Sequence, residues 1–241
     1  MTPLLTTHPD AFPASPPPDL DDQRVIAEHD WAAFGAVTEM RDHWQRPGWS
    51  ADTRAYYWLV DITDPGFLDQ AAHCQNAVRG LGAFDLIGSD GYHATLGRIA
   101  PADTVDQGRL DQLARDVQAD APPAFSLTAI PLTGSHGALR YSVAPWTPVV
   151  DLHQRLVAAS VASRLPAMKP SSRLRPHIGI GYCNRPTPTA PVRAAVEPLR
   201  LLDPVQLRVD RAQLAELRRE DATYTWRVIH TIHLPATGVG R

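Results

Sequence analysis

The sequence predicts an α+β protein made of two pseudo-duplicated lobes, and three observations lead there. In the first half of the chain a β-rich run, an amphipathic helix and a histidine-bearing strand follow one another. Strands, a helix and a second histidine-bearing strand recur in the second half, an order that fits two α+β lobes rather than a single parallel sheet. Finally, 241 residues with 44% hydrophobic content can fill the core of one sizeable domain or two fused lobes.

Taken in order, residues 1–22 hold Pro9, Pro13, Pro16, Pro17 and Pro18 with four aspartates, a composition that predicts a disordered tail. Residues 23–53 form an arm: a short helical stretch (Val25, Trp31, Phe34, Val37, Met40) runs into the aromatic and basic loop Arg41-Asp42-His43-Trp44-Gln45-Arg46-Pro47-Gly48-Trp49. The folded body, residues 54–241, starts with the β-rich run Ala55–Ile62, closed by Asp64-Pro65. Aspartate there suits a helix N-cap, and proline suits the first helical position. In the helix that follows, Phe67, Ala71, Cys74, Val78 and Leu81 share one apolar face, which makes Cys74 a core residue. A strand over Gly91–Ile99 precedes a helix from about Asp106 to Gln118, with Leu110, Leu113 and Val117 facing inward. Strands are expected at Phe125–Pro131 and Leu139–Val143. A helix over about Pro148–Arg164 then places His153 on its apolar side as a satisfied core histidine. A strand at His177–Tyr182, a short helix from Pro191 that Pro198 ends or bends, and a hairpin of Val205–Leu217 and Ala222–Leu234 turning at Arg219-Glu220-Asp221 complete the chain.

Composition narrows the function. The formal net charge is -3, so there is no global basic field for binding a genome, and any nucleic-acid contact is local. Lysine occurs once, at Lys169, and arginine supplies every other cation. Two cysteines, Cys74 and Cys183, are too few for a stapled secreted scaffold and are read as reduced. No segment approaches the ~20 apolar residues of a membrane span, and the expected location is the cytoplasm. Phosphate-binding glycine loops, nucleophile elbows and zinc spacings are missing from the sequence, so no metal or cofactor is expected.

The chemistry concentrates in two strands. Alternation puts His93, Thr95 and Gly97 on one face of the first, with Arg98 near its end, and Ala94 and Leu96 on the other. In the second, His177, Gly179 and Gly181 share a face opposite an apolar set of Ile178, Ile180 and Tyr182. The tetrapeptides His93-Ala94-Thr95-Leu96 and His177-Ile178-Gly179-Ile180 resemble the paired His-x-Thr/Ser-hydrophobic motifs of the two-histidine (2H) phosphoesterase superfamily, which includes bacterial 2'-5' RNA ligase and cyclic phosphodiesterase proteins. The resemblance spans roughly residues 54–235, and Arg175-Pro176-His177 and Tyr182-Cys183-Asn184 also look like the setting of the second motif.

The resemblance implies antiparallel sheets around a central cleft with helices outside, and His93 and His177 facing each other as general acid and base. The implied substrate is a 2',3'-cyclic phosphate or 2'-5' linkage of an RNA end or small nucleotide, handled by a monomer without a cofactor. With reference pKa values near ~6.5, one imidazole can be neutral while the other is protonated. Which histidine plays which part is open. Thr95 would donate a hydrogen bond to phosphate. Gly179 replaces the second hydroxyl, which leaves two readings: a catalytically reduced nucleotide- or metabolite-binding protein on the same fold, or a cleft floor cleared for a bulkier ligand. Trp44, Arg46 and Trp49 could stack on or pair with a nucleotide, or pack the arm onto the body.

Overall fold

The structure is a computed structural model that describes residues 5–45, 50–166 and 168–236. Its helices are α1 (Gln23–Gly35), α2 (Pro65–Arg79), α3 (Gln107–Ala119), α4 (Thr147–Ala162) and α5 (Thr189–Val196). Its strands are β1 (Glu39–Met40), β2 (Arg54–Asp61), β3 (Phe84–Leu86), β4 (His93–Pro101), β5 (Phe125–Gly134), β6 (Ala138–Ala144), β7 (His177–Cys183), β8 (Thr187–Pro188), β9 (Val205–Val209), β10 (Arg211–Glu220) and β11 (Thr223–His233). They form two main antiparallel sheets, β11-β10-β2-β4 and β3-β7-β6-β5-β9, with a small β1-β8 pair beside them. Among the described residues no helix is long and apolar enough to cross a membrane.

Helices α1, α2 and α3 start where side-chain acceptors satisfy their first amides. Asp22 Oδ1 accepts from the amides of Arg24 (2.8 Å) and Val25 (2.9 Å), Asp64 Oδ1 from Phe67 (3.0 Å) and Asp106 Oδ1 from Arg109 (3.1 Å). Each such cap contributes about 1 kcal/mol. Helix α2 then buries Phe67, Ala71, Cys74 and Val78 against the outer face of the five-stranded sheet, where the Phe67 ring meets Tyr141 at 4.9 Å and Cys74 Sγ lies 3.3 Å from its hydroxyl. Both cysteines are free and buried.

The two lobes are not the two halves of the chain. Strand β3 precedes β4 in sequence yet pairs with β7, and α2 packs on the lobe that holds β7, while α4 packs on β4. The expected single strand over 205–217 is in fact two. β9 pairs with β5 in one sheet, and after Asp210 the chain crosses over so that β10 pairs with β2 in the other. Each of these strands finds its unpaired edge in a different sheet, which hydrophobic periodicity cannot reveal. The hairpin between β10 and β11 turns at Asp221 and Ala222, with Asp221 taking the left-handed conformation (φ 47°) that aspartate tolerates.

Residues 5–22 correct the expectation of a disordered tail. Leu5 is buried, and the buried guanidinium of Arg175 donates to the carbonyls of Thr6 (2.8 Å), Pro13 (2.9 Å) and Ala14 (3.0 Å). Arg140 donates to the Phe12 carbonyl at 3.1 Å and lies over the Phe12 ring at 5.0 Å. A proline-rich chain has few amides of its own to pair, so its carbonyls are good acceptors for arginines buried in the body.

Helix α1 lies over β5 and β6 on the side of the sheet that carries His177. There Asp30 accepts from Ser142 Oγ (2.6 Å) and pairs with Arg140 (3.5 Å), and Arg140 and Ser142 stand opposite Gly179 and His177 on β7. The approach is close enough that a Cβ on Gly134 would run into the Phe34 ring, so this β5 position requires glycine.

Candidate active site

The first residue of β4 is His93 and the first of β7 is His177, and these two strands, from different sheets, pack against each other. Each ring is anchored alike. His93 Nδ1 lies 2.9 Å from the carbonyl oxygen of Gly91, and His177 Nδ1 lies 2.8 Å from that of Arg175. A carbonyl only accepts, so both Nδ1 atoms carry the proton, and Nε2 is left as the nitrogen that can take or give one. His93 also packs edge-on to the Trp226 indole at 5.2 Å. Burial holds its pKa below the usual histidine value, with the hydrogen bond to Gly91 acting in the opposite direction.

The pseudo-duplication extends to a β-bulge three residues after each histidine. In β4, Thr95 stands opposite Leu59 and Gly97 opposite Trp58, so Leu96 is the extra residue; in β7, Gly179 stands opposite Arg140 and Gly181 opposite Leu139, so Ile180 is extra. A polar side chain from the outer helix takes up each bulged carbonyl. Gln75 of α2 donates to the Ile180 oxygen at 2.8 Å, and the ring of His153 on α4 donates to that of Leu96. His153 is buried and also bonded to Ser171 Oγ at 2.7 Å, and its pKa falls to about 4 through desolvation. It is a core histidine that holds up the strand bearing His93.

Because a bulge reverses the alternation, the faces beyond Leu96 and Ile180 differ from those predicted. Gly97 turns to the core, where a Cβ would meet Met168 and His153, and Arg98 joins Thr95 on the site face beside its cross-strand partner Tyr57. Gly181 is covered by Phe84, Asp85 and Leu86 of β3 and does not line the cleft floor. Tyr182 is buried as expected but faces the same way as His177 and Gly179 rather than with Ile178 and Ile180, and its ring stacks on His43 at 4.2 Å. Thr95 is exposed on the His93 side, and no hydroxyl follows His177 at the matching position, which is Gly179.

Trp44 is 9% exposed, and the protein occupies its surroundings. Its indole N–H donates to Asp85 (2.7 Å), the Arg219 guanidinium lies over its ring (4.6 Å), and Tyr182 and Tyr224 flank it at 5.2 and 5.1 Å. The arm thereby bridges the β10–β11 hairpin of one lobe and β3 and β7 of the other. Arg46 and Trp49 lie outside the described residues. Sequence reasoning missed Tyr57, Tyr182, Tyr224 and Trp226. Trp226 stands opposite Leu217 in the ladder, strands away from His93, and only the curl of the sheet brings the two rings together. Among the described residues no group of three His, Cys, Asp or Glu side chains could hold a metal ion.

The family model described as 2'-5' RNA ligase superfamily matches residues 71–221. The chain belongs to the 2'-5' RNA ligase superfamily of 2H phosphoesterases. The same fold is seen in E. coli LigT, solved in complex with 3'-AMP, at 14% identity and a TM-score of 0.55 over 76% of this chain and 98% of that one. TT0787 of Thermus thermophilus superposes with a TM-score of 0.56 at 14% identity, covering 76% of this chain and 100% of its own. A crystal structure of a phosphoesterase matches at 13% identity and a TM-score of 0.56, covering 76% and 99%. A search of the curated proteins finds no match. Within the superfamily the arm that precedes residue 71 lies outside the matched region, and it is this arm that supplies Asp30, His43 and Trp44 to the site face.

Proposed function

We propose that this protein is a metal-independent phosphoesterase acting on 2',3'-cyclic phosphate or 2'-5' phosphodiester bonds of RNA ends or small nucleotides. The observation that carries the proposal is the pair of Nδ1–carbonyl anchors, which fix both imidazoles in the tautomer whose Nε2 does proton chemistry. Opening a cyclic phosphate needs a base to take a proton from water and an acid to protonate the departing ribose oxygen, and two imidazoles divide that work. Burial disfavours the imidazolium form of His93, which suits its Nε2 to taking the water proton, and His177 Nε2 then serves the leaving oxygen. A ribose 5'-hydroxyl in place of the water forms a 2'-5' bond with the same two roles, the 3'-oxygen leaving with the proton, and cleavage of that bond back to the cyclic phosphate exchanges them. Thr95 donates to a phosphoryl oxygen as negative charge grows there, and the Arg98 cation faces the same side. The nucleotides found with E. coli LigT, 3'-AMP, NADP+ and ATP, support a small nucleotide or an RNA terminus as ligand. The two unpaired, buried cysteines suit a reducing compartment, and we place the protein in the cytoplasm, acting as a monomer.

Gly179 favours a second reading, a protein of the same fold that binds nucleotides without turning them over. Product formation from 2',3'-cyclic nucleotides and short 2'-5'-linked or cyclic-phosphate-ended RNAs, in the presence of a chelator, separates the two. Turnover abolished by either His93→Ala or His177→Ala is the expected result. Turnover that survives both substitutions refutes the two-histidine mechanism, and binding without turnover favours the second reading.

A further inference from the structure

We infer that Tyr182 supplies the phosphate-directed hydroxyl that the second motif lacks at Gly179. The inference rests on the proposed phosphate chemistry and deepens it by naming the second anion donor.

The bulge at Ile180 is what makes this possible. With regular alternation Tyr182 would point into the core with Ile178 and Ile180. With one extra residue it comes to the face of His177 and Gly179 instead. Its ring is then the neighbour of the vacant position: a Cβ built on Gly179 would lie 4.0 Å from Tyr182 Cε1, the ring carbon next to the one that bears the hydroxyl. The glycine is not required by the backbone, since its φ is not in the left-handed region, nor by a clash at Cβ, since Ile87 Cδ1 at 3.4 Å is an ordinary contact. It keeps clear the space into which a β-branched hydroxyl side chain would extend, between Ile87 and the tyrosine ring. The first lobe places its hydroxyl on the residue two after His93, and the second lobe places one on a longer side chain five after His177.

The ring is also held still. It stacks on His43 at 4.2 Å with 28° between planes, meets Trp44 at 5.2 Å and Tyr224 at 5.3 Å, and is 8% exposed. His43 is in turn bonded to Tyr224, with Nε2 and the hydroxyl oxygen 3.1 Å apart. A donor fixed in this way pays no reorganisation when charge develops on the phosphoryl oxygens. A phenol O–H is also a stronger donor than an aliphatic hydroxyl, because the ring shares the charge left on oxygen. The N-terminal arm therefore has a part in the site: it immobilises the side chain that takes over the missing donor.

The experiment is a rescue series on 2',3'-cyclic nucleotide hydrolysis with wild type, Tyr182→Phe, Gly179→Ser and the Tyr182→Phe/Gly179→Ser pair. Thermal melts establish that each variant folds. The expected result is a fall in kcat on the order of 10²-fold for Tyr182→Phe with KM little changed, as for loss of an oxyanion donor, and recovery of at least about a tenth of wild-type kcat when Gly179→Ser is added. Wild-type kcat in Tyr182→Phe overturns the inference, and so does a loss that Gly179→Ser leaves untouched in a folded protein. If wild type turns over none of the substrates, the hydrolase reading fails by itself. The inference is then read from calorimetric binding of 3'-AMP and inorganic phosphate, which Tyr182→Phe weakens if Tyr182 is the donor and leaves unchanged if it is not.

Discussion

Acidification destabilises this fold through His153, and the size of the effect follows from the site it occupies. The ring lies between α4 and β4, bonded to Ser171 Oγ and the Leu96 carbonyl, where desolvation lowers its pKa from 6.5 to about 4. Above pH 6.5 the ring is neutral whether the chain is folded or unfolded, and it adds no pH dependence. Between 6.5 and about 4 the unfolded chain binds a proton that the folded chain refuses, so stability falls as pH drops through this window and levels off below it. At 1.36 kcal/mol per pH unit, the loss comes to roughly 3 kcal/mol by pH 4, a large share of a typical domain stability of about 5–15 kcal/mol. His29, His93 and His136 also have lowered pKa values and add acid sensitivity of their own. The assay therefore compares wild type with His153→Gln, which keeps a donor and an acceptor but does not titrate. Urea unfolding followed by tryptophan fluorescence should find wild type the more stable by about 1 kcal/mol at pH 7.5, the worth of a well-fitted buried hydrogen bond. The gap should close and reverse towards pH 4. If the difference between the two proteins is the same at pH 7.5 and pH 4.5, His153 does not carry the buried, proton-refusing site described here.

Three further outcomes are expected. Trp226→Ala opens the environment of His93 to water, so its pKa rises towards 6.5, and the acid limb of the kcat/KM profile, which marks protonation of the base, moves up with it; a limb that stays in place sinks the assignment of His93 as base. Arg175→Ala removes the donor for the Thr6, Pro13 and Ala14 carbonyls; amide exchange should speed up and protease cleavage should appear within residues 5–22, and unchanged protection there contradicts the anchoring. Asp30→Ala strands Arg140 in the interior and leaves Ser142 without its acceptor, so urea unfolding should report a loss of about 3–5 kcal/mol, where a loss under 1 kcal/mol would mean that water reaches the guanidinium.

By itself the sequence determined most of the helices and longer strands and the first half of each motif. Period-two alternation placed His93 and Thr95 on one face and Ile178 in the core, the spacing of Phe67, Ala71, Cys74 and Val78 marked the buried face of α2, and Asp64-Pro65 marked its start. These are local signals, and each is legible within a few residues. The tertiary structure decided what depends on a partner strand. The bulges at Leu96 and Ile180 exist because β2 and β6 set the register opposite them, and because His153 and Gln75 satisfy the freed carbonyls; Gly97, Arg98, Gly181 and Tyr182 change faces as a result. The division of 205–217 between two sheets and the contact of Trp226 with His93 likewise depend on which edge lies free in space. The proline-rich segment shows the same limit. Composition correctly reports that residues 5–22 have little apolar surface to bury, but their order comes from guanidinium groups of Arg140 and Arg175, more than a hundred residues away, that need the carbonyls this segment offers.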